Sequence, residues 1–466
     1  MQFTTVIGLE IHAELLTKSK LFCTCENRFG GHANQRTCPV CLGIPGTLPV
    51  LNREAVRLAV KAGAALECTV NEYSAFDRKN YFYPDLPKAY QITQFAYPIC
   101  GHGRMMDIRI ERIHLEEDAG KLMHGEDGSE IDYNRCGVPL IEIVTAPDFS
   151  SAEQVGAFVE EVCLRLRYAD VCDARLEQGS LRVDVNISRK PAGSDRLGTR
   201  AEIKNLNSVR SIRRAIAYEE ERQAAVLEGG GKVVQETRRF DEHTGRTVSM
   251  RSKEQTHDYR YFPEPDISPV IISRKEIEKI QEGIPQMPQS RRARYQSWGI
   301  SAEQAALLVS SREFSDFYDT AADKYPKYAV LANWITGEVS RNLNTLSKKV
   351  SELPFLPEML ARLVQMSEEG MVSKNAAKDI LKIMCKTGND PMEIAKEQNL
   401  LIRSDPTEIR ALIQAVLEKE SKAVQEYRAG NPKIIGYLMG QIMHSGGSGI
   451  DPAACRQCLL QLLKNN

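Results

Sequence analysis

The sequence predicts an α+β protein in which an antiparallel sheet comes first and an all-α part follows. Apolar and polar residues alternate in 6–14, 179–188 and 201–205, as they do in strands with one buried face. Beyond the proline-rich stretch 283–290, the apolar residues recur with the period of a helix. We therefore expect a domain at 1–290, a helical domain at 291–404 and a helical tail at 405–466.

Length and charge limit the possible partners. A chain of 466 residues is long enough for about two to four domains. Lys and Arg number 61 against 62 Asp and Glu, so a nucleic-acid partner would have to be held by a local basic patch. No apolar run approaches the ~20 residues that a membrane span needs, and the N-terminus lacks a secretory signal pattern. We expect a cytoplasmic protein with no membrane contact and with reduced cysteines.

The first strand has a polar face that carries possible ligands. Ile7, Leu9 and Ile11 alternate with Glu10 and His12 and then with Glu14 at the strand's end. Residues two apart on a strand stand about 6.5–7 Å apart, so Glu10 and His12 are close enough to share one cation. The alternative is a sheet face that simply meets water.

Four cysteines have the spacing of a metal site. Their pattern is C-x-C, twelve residues, then C-x-x-C, formed by Cys23, Cys25, Cys38 and Cys41. This pattern indicates a zinc site built from two short loops, and four thiolates leave no open position for catalysis. Cys136 lacks a recognisable histidine partner, so it is not a convincing nucleophile.

The middle of the N-terminal part is rich in charged residues. The segment 76–90 mixes cations with aromatic residues, which suits an anionic, ring-bearing ligand or a packed surface loop. Three acids follow at 116–118, and Glu142 interrupts an apolar strand. In the strand 179–188, Arg182 and Asp184 share the polar face. Oxygen ligands of this type suit Mg²⁺. The glycines 229–231 are best explained as the end of a helix at 207–228.

The C-terminal part predicts helices throughout. Ser301 and Gln304 resemble a helix N-terminus, and apolar stripes follow at helical spacing. The tail repeats an Asx-Pro pair at 405–406, 431–432 and 451–452, which predicts three helices. It also carries a modest basic patch, formed by Lys419, Lys422, Arg428 and Lys433.

Seven segments together resemble one enzyme family. They are VIGLEIHAEL at 6–15, FDRKNYFYPDLPK at 76–88, HLEEDAGK at 114–121, NRCGVPLIEIV at 134–144, GSLRVDVNIS at 179–188, EIKNLNS at 202–208 and DYRYFPEPD at 258–266. In this order they are similar to the B subunits of the aspartyl/glutamyl-tRNA amidotransferases, nearly end to end.

The resemblance implies an architecture and an activity. It implies a cradle domain with a fold like that of glutamine synthetase and the guanido kinases, a helical domain, and a tail that contacts tRNA. It implies a heterotrimer with a glutaminase, called the A subunit, and a small C subunit. In the B subunit, ATP phosphorylates the side-chain carboxylate of Glu-tRNA(Gln) or Asp-tRNA(Asn), and ammonia then displaces phosphate to give Gln-tRNA or Asn-tRNA.

The motif positions assign roles under this resemblance. The Mg²⁺ ligands are expected to be Glu10, His12, Glu117, Glu142 and Asp184. Glu116 is the rival of Glu117, because a turn after Leu115 makes the strand parity unreliable. The expected contacts to ATP or the acyl phosphate are Lys79, Lys88, Arg182, Arg251 and Lys253, with Arg182 favoured because it shares a face with Asp184.

Two other functions compete with this hypothesis. The first is a zinc-containing tRNA-binding scaffold without an active site of its own. The second is a zinc hydrolase that uses Glu10 and His12, but two ligands on a strand lack the third ligand and the helical arrangement of such enzymes. The sequence does not distinguish Glu-tRNA from Asp-tRNA as the substrate.

Overall fold

The computed structural model describes residues 3–125, 128–252, 259–402, 406–428, 431–446 and 452–465. The chain divides into two compact units, Met1–Pro288 and Gln289–Asn466. The first unit combines a large sheet with helices, and the second consists of helices in its described residues. The predicted order of a mixed part followed by a helical part is therefore confirmed.

A sheet of nine strands organises the N-terminal unit. The strands of this unit are, in chain order, β1 (Phe3–Glu14), β2 (Cys68–Val70), β3 (Tyr73–Ser74), β4 (Asp77–Asn80), β5 (Tyr90–Thr93), β6 (Cys100–Met105), β7 (Ile108–Glu117), β8 (Lys121–Gly125), β9 (Gly128–Asp132), β10 (Pro139–Thr145), β11 (Leu181–Pro191), β12 (Ala201–Lys204), β13 (Glu236–Asp241), β14 (Arg246–Ser252), β15 (Phe262–Pro263) and β16 (Val270–Ile271). The large sheet has the order β14-β13-β12-β11-β1-β10-β7-β6-β2. Its neighbours run antiparallel, except that β12 and β13 are parallel.

The opening strand β1 lies inside this sheet, between β10 and β11. Ile7, Leu9 and Ile11 are fully buried on its apolar face. They share one core with side chains from the helices α1 (Arg53–Ala65), α2 (Ala152–Tyr168), α3 (Val209–Glu228) and α4 (Arg274–Glu282). The other face of β1 is free to carry polar side chains, as the alternation predicted.

Local capping explains where these helices begin and end. The side chains of Asn52, Ser151, Ser208 and Ser273 each accept a hydrogen bond from a backbone N–H in the first turn of the helix that follows. Gly229 forms the C-cap of α3, which confirms that the glycines end this helix. The capped helices hold the sheet from the side opposite its polar face.

Two segments differ from the expectation. The segment 76–90 is not simply a loop, because it begins in β4 and ends in β5, which pair in a small sheet with β15. The strand β7 does not turn after Leu115 but continues to Glu117 in register with β10. This continuation fixes the strand parity that the sequence left open.

The described residues of the C-terminal unit form two separate cores. Its helices are α5 (Pro288–Ser297), α6 (Ala302–Leu308), α7 (Arg312–Lys324), α8 (Tyr328–Asn333), α9 (Ser340–Leu346), α10 (Pro357–Glu368), α11 (Lys374–Thr387), α12 (Pro391–Glu397), α13 (Pro406–Lys419), α14 (Ser421–Arg428), α15 (Ile434–Gly446) and α16 (Pro452–Asn465), with a π turn at Trp334–Val339 and a 3₁₀ turn at Val350–Glu352. One core lies within 295–395 and the other within 409–463.

In its described residues, the tail has four helices where the Asx-Pro pattern predicted three. The first predicted helix is divided, since α13 ends at Lys419 and α14 begins at Ser421. Of the three Asx residues, Asp405 and Asp451 lie outside the described residues. Across the part of the chain that the structure describes, none of the helices is long and apolar enough to span a membrane.

Candidate active site

The register of the central strands brings the predicted ligands onto one face of the sheet. Glu10 in β1 lies opposite Asp184 in β11, and His12 lies opposite Glu142 in β10. On the far side of β10, Glu142 lies opposite His114 in β7. Residues far apart in the chain therefore meet on neighbouring strands, and Glu10, His12, Glu142 and Asp184 all belong to this face.

A first ligand cluster lies where β7 and β10 meet. It consists of His114, Glu116 and Glu142, whose potential ligand atoms all lie within 4.8 Å of one another. The Nε2 atom of His114 is 3.2 Å from Oε2 of Glu142. The Nε2 atom of His12 is 3.4 Å from the same oxygen. Glu142 is thus the oxygen donor at the centre of this cluster.

Buried charges couple strongly in the first cluster. Burial acts to raise the pKa of Glu142, but the charge and hydrogen bond of His114 hold that pKa well below its ordinary value. Burial also opposes ionisation of Glu116, yet the charge of Lys79 lowers its pKa to about 2. The two carboxylates in turn raise the pKa of His114 to about 9, against the effect of its burial. Both carboxylates are therefore ionised at neutral pH, and a cation would have to displace the proton of His114 before this imidazole could serve as a ligand.

A second ligand cluster lies between β1, β11 and β12. Glu10, Asp184 and Glu202 have potential ligand atoms within 4.8 Å of one another. The ammonium group of Lys204 lies 2.5 Å from an oxygen of Asp184 and 3.1 Å from one of Glu202. Burial and the neighbouring carboxylates raise the pKa of Glu10, since three acids at one point repel one another until a cation relieves them.

The structure places Glu117 outside both clusters and Glu116 within the first. Because β7 continues as a strand, Glu116 faces the same side as His114, and Glu117 faces the opposite side. Glu117 binds the ammonium group of Lys88 and accepts a hydrogen bond from the backbone N–H of Ile92 at 2.9 Å. Gln91 donates to Glu116 at 2.8 Å. The alternative that the sequence left open, Glu116, is therefore the residue that geometry places with Glu142.

The basic side chains that were predicted to contact ATP or the acyl phosphate lie in different surroundings. Lys79 lies 3.8 Å from Glu116, and its ammonium group is 5.1 Å from the ring centre of Tyr259. Arg182 donates to Asp118 at 2.6 Å. Arg251 belongs to β14, but its side chain is outside the described residues, and Lys253 lies outside them altogether.

These groups surround an open cavity of about 580 Å³. Its charged or ionisable lining residues are His12, Lys79, Asp85, Glu116, Asp118, Arg135, Glu177, Arg182, Asp184 and Lys204. One wall comes from β1, β11 and β12, and another from the β4–β5 segment. The cavity has room for a ligand that carries charges of both signs.

The donor set fits a divalent cation. Within the described ranges, Nδ1 of His114 is buried without a hydrogen-bond partner. The buried Oε2 atom of Glu116 also lacks a hydrogen bond, although it lies 3.8 Å from the ammonium group of Lys79 and 3.8 Å from Nε2 of His114. A buried carboxylate oxygen without a hydrogen bond is costly unless an ion satisfies it. Carboxylates with an occasional imidazole are ligands suited to Mg²⁺ or Mn²⁺.

The four predicted zinc ligands form a separate cluster. The sulfur atoms of Cys23, Cys25, Cys38 and Cys41 lie within 4.8 Å of one another. A hydrogen bond from the Cys23 thiol is the main reason that the pKa of Cys41 falls to about 5, and the ammonium group of Lys20 lies 3.7 Å from this sulfur. Four thiols that converge in this way fit a closed structural zinc site.

Three residues of the site, the ligands His114 and Glu202 and the cation Lys204, were not identified from the sequence alone. His114, Glu202 and Lys204 join the clusters only because β7 and β12 lie beside β10 and β11. The alternation in 201–205 already placed Glu202 and Lys204 on one face. Only the order of the strands in the sheet brings that face next to Asp184, and alternation does not reveal this order.

Two family models match this chain. A family model described as "GatB/GatE catalytic domain" matches residues 5–278, and a second, described as "GatB domain", matches residues 316–463. The chain therefore belongs to the GatB/GatE family. The first match contains both carboxylate clusters and the four cysteines.

Curated relatives make the assignment more specific. Each is named as the B subunit of an aspartyl/glutamyl-tRNA(Asn/Gln) amidotransferase and is similar over nearly its whole length. The protein of Thermoanaerobacter pseudethanolicus is 46% identical, with 99% of this chain and 100% of the relative covered. That of Ruminiclostridium cellulolyticum is 48% identical over 98% and 97%, respectively. That of Geobacter sp. strain M21 is 45% identical over 100% of both. The family resemblance found in the sequence motifs is confirmed.

Proposed function

We propose that this chain phosphorylates and then amidates the side-chain carboxylate of Glu-tRNA(Gln), Asp-tRNA(Asn) or both. The observation that supports this most directly is the pair of carboxylate clusters on one sheet face, beside a cavity lined by cations. Phosphoryl transfer requires this combination, because charge develops on both the transferred phosphoryl group and the leaving group.

The chemistry proceeds in two displacements. A carboxylate oxygen of the aminoacyl side chain attacks the γ-phosphorus of ATP, and ADP leaves. The nitrogen of ammonia then attacks the acyl carbon, and inorganic phosphate leaves with the bonding pair. The first step is needed because a carboxylate oxygen is a poor leaving group until it carries a phosphoryl group.

The residues of the chain have distinct roles in these steps. We assign Glu116, Glu142, His114 and His12 to one cation site, and Glu10, Asp184 and Glu202 to the adjoining carboxylate cluster. These residues would hold Mg²⁺, which would supply the positive charge that phosphoryl transfer requires. Lys79, Arg182 and Lys204 line the cavity and offset the negative charge of the acyl phosphate.

The remaining predictions about contacts and architecture belong to the same proposal. Lys88 is held by Glu117 on the other side of β7, so we place it farther from the phosphates than Lys79. Contacts from Arg251 and Lys253 to ATP stay predictions. We also propose that the N-terminal unit has the fold of glutamine synthetase and the guanido kinases.

The assembly is proposed from the names of the relatives, which describe a B subunit. We propose a cytoplasmic heterotrimer in which this chain joins a glutaminase, the A subunit, and a small C subunit. The tail 405–466 contacts tRNA. The four cysteines would hold zinc, which would stabilise a loop of the N-terminal unit. Ammonia reaches the active site from the glutaminase.

The direct test removes one carboxylate of the second cluster. In the assembled trimer, Asp184→Ala should reduce amidation of Glu-tRNA by at least about a hundredfold, a loss typical of removed electrostatic groups. Glu111→Ala is the control, because Glu111 is a half-exposed acid on β7 that pairs with His102 outside the clusters. Amidation at the wild-type rate and Mg²⁺ dependence would make the assignment wrong. Binding of tRNA without any ATP turnover by the wild type would favour the scaffold function.

A further inference from the structure

Thr237 is a buried hydroxyl residue beside the second ligand cluster. It lies on β13 directly opposite Glu202 of β12, because these two strands pair in parallel. Thr237 is only 2% exposed, and its hydroxyl donates to Oε2 of Glu202 at 2.9 Å. A residue two strands away from Asp184 is therefore joined to the cluster through one of its members.

This hydrogen bond completes a pair of contacts that orient Glu202. Its Oε1 atom lies 3.1 Å from the ammonium group of Lys204, and its Oε2 atom accepts from Thr237. The last torsion of a glutamate side chain has broad, shallow preferences, so a carboxylate turns easily unless its oxygens have partners. Here each oxygen has a different partner, and the plane of the carboxylate is fixed.

The two partners of Glu202 differ in charge. Lys204 also lies 2.5 Å from an oxygen of Asp184, so its positive charge opposes the approach of a second cation to these acids. The hydroxyl of Thr237 is neutral. It orients Glu202 without reducing the negative charge that attracts a cation, as hydrogen-bond partners behind metal ligands do.

The fold fixes the direction of the Thr237 hydroxyl. Threonine is branched at Cβ, which restricts its first side-chain torsion in a strand. The next residue, Arg238, faces the other side of the sheet, where its guanidinium group lies 3.0 Å from the buried carboxylate of Glu219 on α3. The strand β13 is thus held by α3 on the side opposite Glu202.

Thr237 is placed to act through Glu202 and not on a substrate. It is absent from the lining of the cavity of about 580 Å³, and it is almost completely buried. Glu202, by contrast, has a carboxylate oxygen within 4.8 Å of ligand atoms of Glu10 and Asp184.

We propose that Thr237 is a positioning residue for the reaction, whose hydroxyl holds Glu202 in the orientation that lets it bind a divalent cation together with Glu10 and Asp184. This rests on the proposed function, because it names a residue that prepares the cation site of that reaction. Without the hydroxyl, Glu202 keeps its charge but loses its fixed orientation.

The test measures cation binding separately from turnover. Electron paramagnetic resonance of Mn²⁺ in the assembled trimer gives the Kd of the site that Asp184→Ala removes. Thr237→Val replaces the hydroxyl by a methyl group, and we expect it to raise this Kd by about tenfold or more. Thr237→Ser keeps the hydroxyl and should restore nearly the wild-type Kd. At saturating Mg²⁺, the KM for Glu-tRNA should be the same in both variants as in the wild type.

Thr247→Val is the matched control. Thr247 is also buried, and its hydroxyl donates to the carboxylate of Glu219. Glu219 belongs to neither ligand cluster and keeps its ion pairs with Arg222 and Arg238. The control should lower Tm, because a buried carboxylate loses a hydrogen bond, but its Kd for Mn²⁺ should equal that of the wild type.

The outcomes separate this role from a merely structural one and from the proposed function. An unchanged Kd in Thr237→Val, an equal rise in Thr247→Val, or no rescue by Thr237→Ser would each overturn the positioning role. If Thr237→Val does not fold, Thr237→Ala decides by the same criteria, since it removes the hydroxyl and adds no group. If the wild-type trimer forms no ADP with either misacylated tRNA, the proposed function itself fails, and the role of Thr237 in that reaction fails with it.

Discussion

At the residue scale, the candidate site depends on strand parity. Glu116 and Glu117 are neighbours in β7, yet Glu116 lies with His114 and Glu142, whereas Glu117 binds Lys88 on the other side. A shift of one residue in a strand exchanges its two faces. The identity of the ligand is therefore a property of the register and not of the local composition.

This parity predicts different effects for two adjacent substitutions. Glu116→Gln removes a buried anionic ligand, so the Mg²⁺ concentration for half-maximal amidation should rise by about tenfold or more, in the range seen when ligand shells are altered. Glu117→Gln should leave that concentration unchanged, because its carboxylate lies outside the cluster. Titration of Mg²⁺ in the trimer assay measures both. A larger shift for Glu117→Gln than for Glu116→Gln would contradict the placement.

Glu14 predicts a pH effect on stability. Burial and the nearby Asp118 raise the pKa of Glu14 from 4.5 to about 7. A carboxyl with a raised pKa favours the folded state at pH values below 4.5, and this contribution is lost as the pH rises through 7. Above pH 7 an ionised Glu14 should cost on the order of 3 kcal/mol.

Glu14→Gln should therefore raise Tm at about pH 8.5 and give no gain at about pH 4.5. Thermal unfolding followed across this range measures the difference. The control is Glu111→Gln, because Glu111 lies 3.8 Å from the exposed His102 and its carboxylate is half-exposed. A stabilisation by Glu14→Gln that does not depend on pH would show that the substitution acts through packing instead.

The sequence predicted part of this site for a physical reason. Alternation identifies the face of each strand, so Glu10, His12 and Asp184 were recognised as polar-face residues without any contact information. Alternation does not reveal which strands are neighbours. His114 and Glu202 could be added only from the pairing of β7 with β10 and of β12 with β11.

At the element scale, local sequence signals predicted whether a segment is a helix or a strand better than they predicted where it ends. The helix α3 begins after its N-cap Ser208 and ends at its C-cap Gly229, and these limits are close to those expected from the sequence. The β7 strand exceeded expectation because a row of acids resembles a turn, but cross-strand partners stabilise the extended form. In the tail, neither proline nor glycine occurs at the break between α13 and α14, so the sequence did not predict this break.

The cysteine loop is the element that a metal should stabilise. Cys38→Ser together with Cys41→Ser removes two of four ligands, so bound zinc should fall from about one per chain to none. Tm should also fall, because binding free energy contributes to folding. Metal analysis and thermal unfolding of the purified chain measure these effects.

The matched control for the loop is Cys136→Ala. This thiol is buried and donates to the carbonyl oxygen of Cys41 at 3.3 Å, but it is not one of the four clustered sulfur atoms. Zinc content should therefore stay at the wild-type level. Full zinc content in the double variant would refute the site.

At the scale of the whole molecule, the two units differ in what they contribute. The N-terminal unit has one core with the ligand clusters above it, and the helical unit has two cores that share no residue with it. The net charge of the chain is only −1. Binding of tRNA therefore cannot depend on the overall charge and requires a local patch.

The tail is the proposed location of that patch, and salt dependence can test it. Lys419, Lys422 and Lys433 are exposed on or beside α13–α15, so replacing all three by alanine should leave the fold intact. Removing one lysine–phosphate ion pair lowers the slope of log K against log salt by about 1, so the slope should fall by up to about 3. The control replaces Lys374, Lys382 and Lys386, which are exposed on α11, with the same change in charge. Filter binding of tRNA across a salt series measures the slopes of the two triple variants. Equal slopes would mean that only the net charge matters and that the tail is not a binding surface for tRNA.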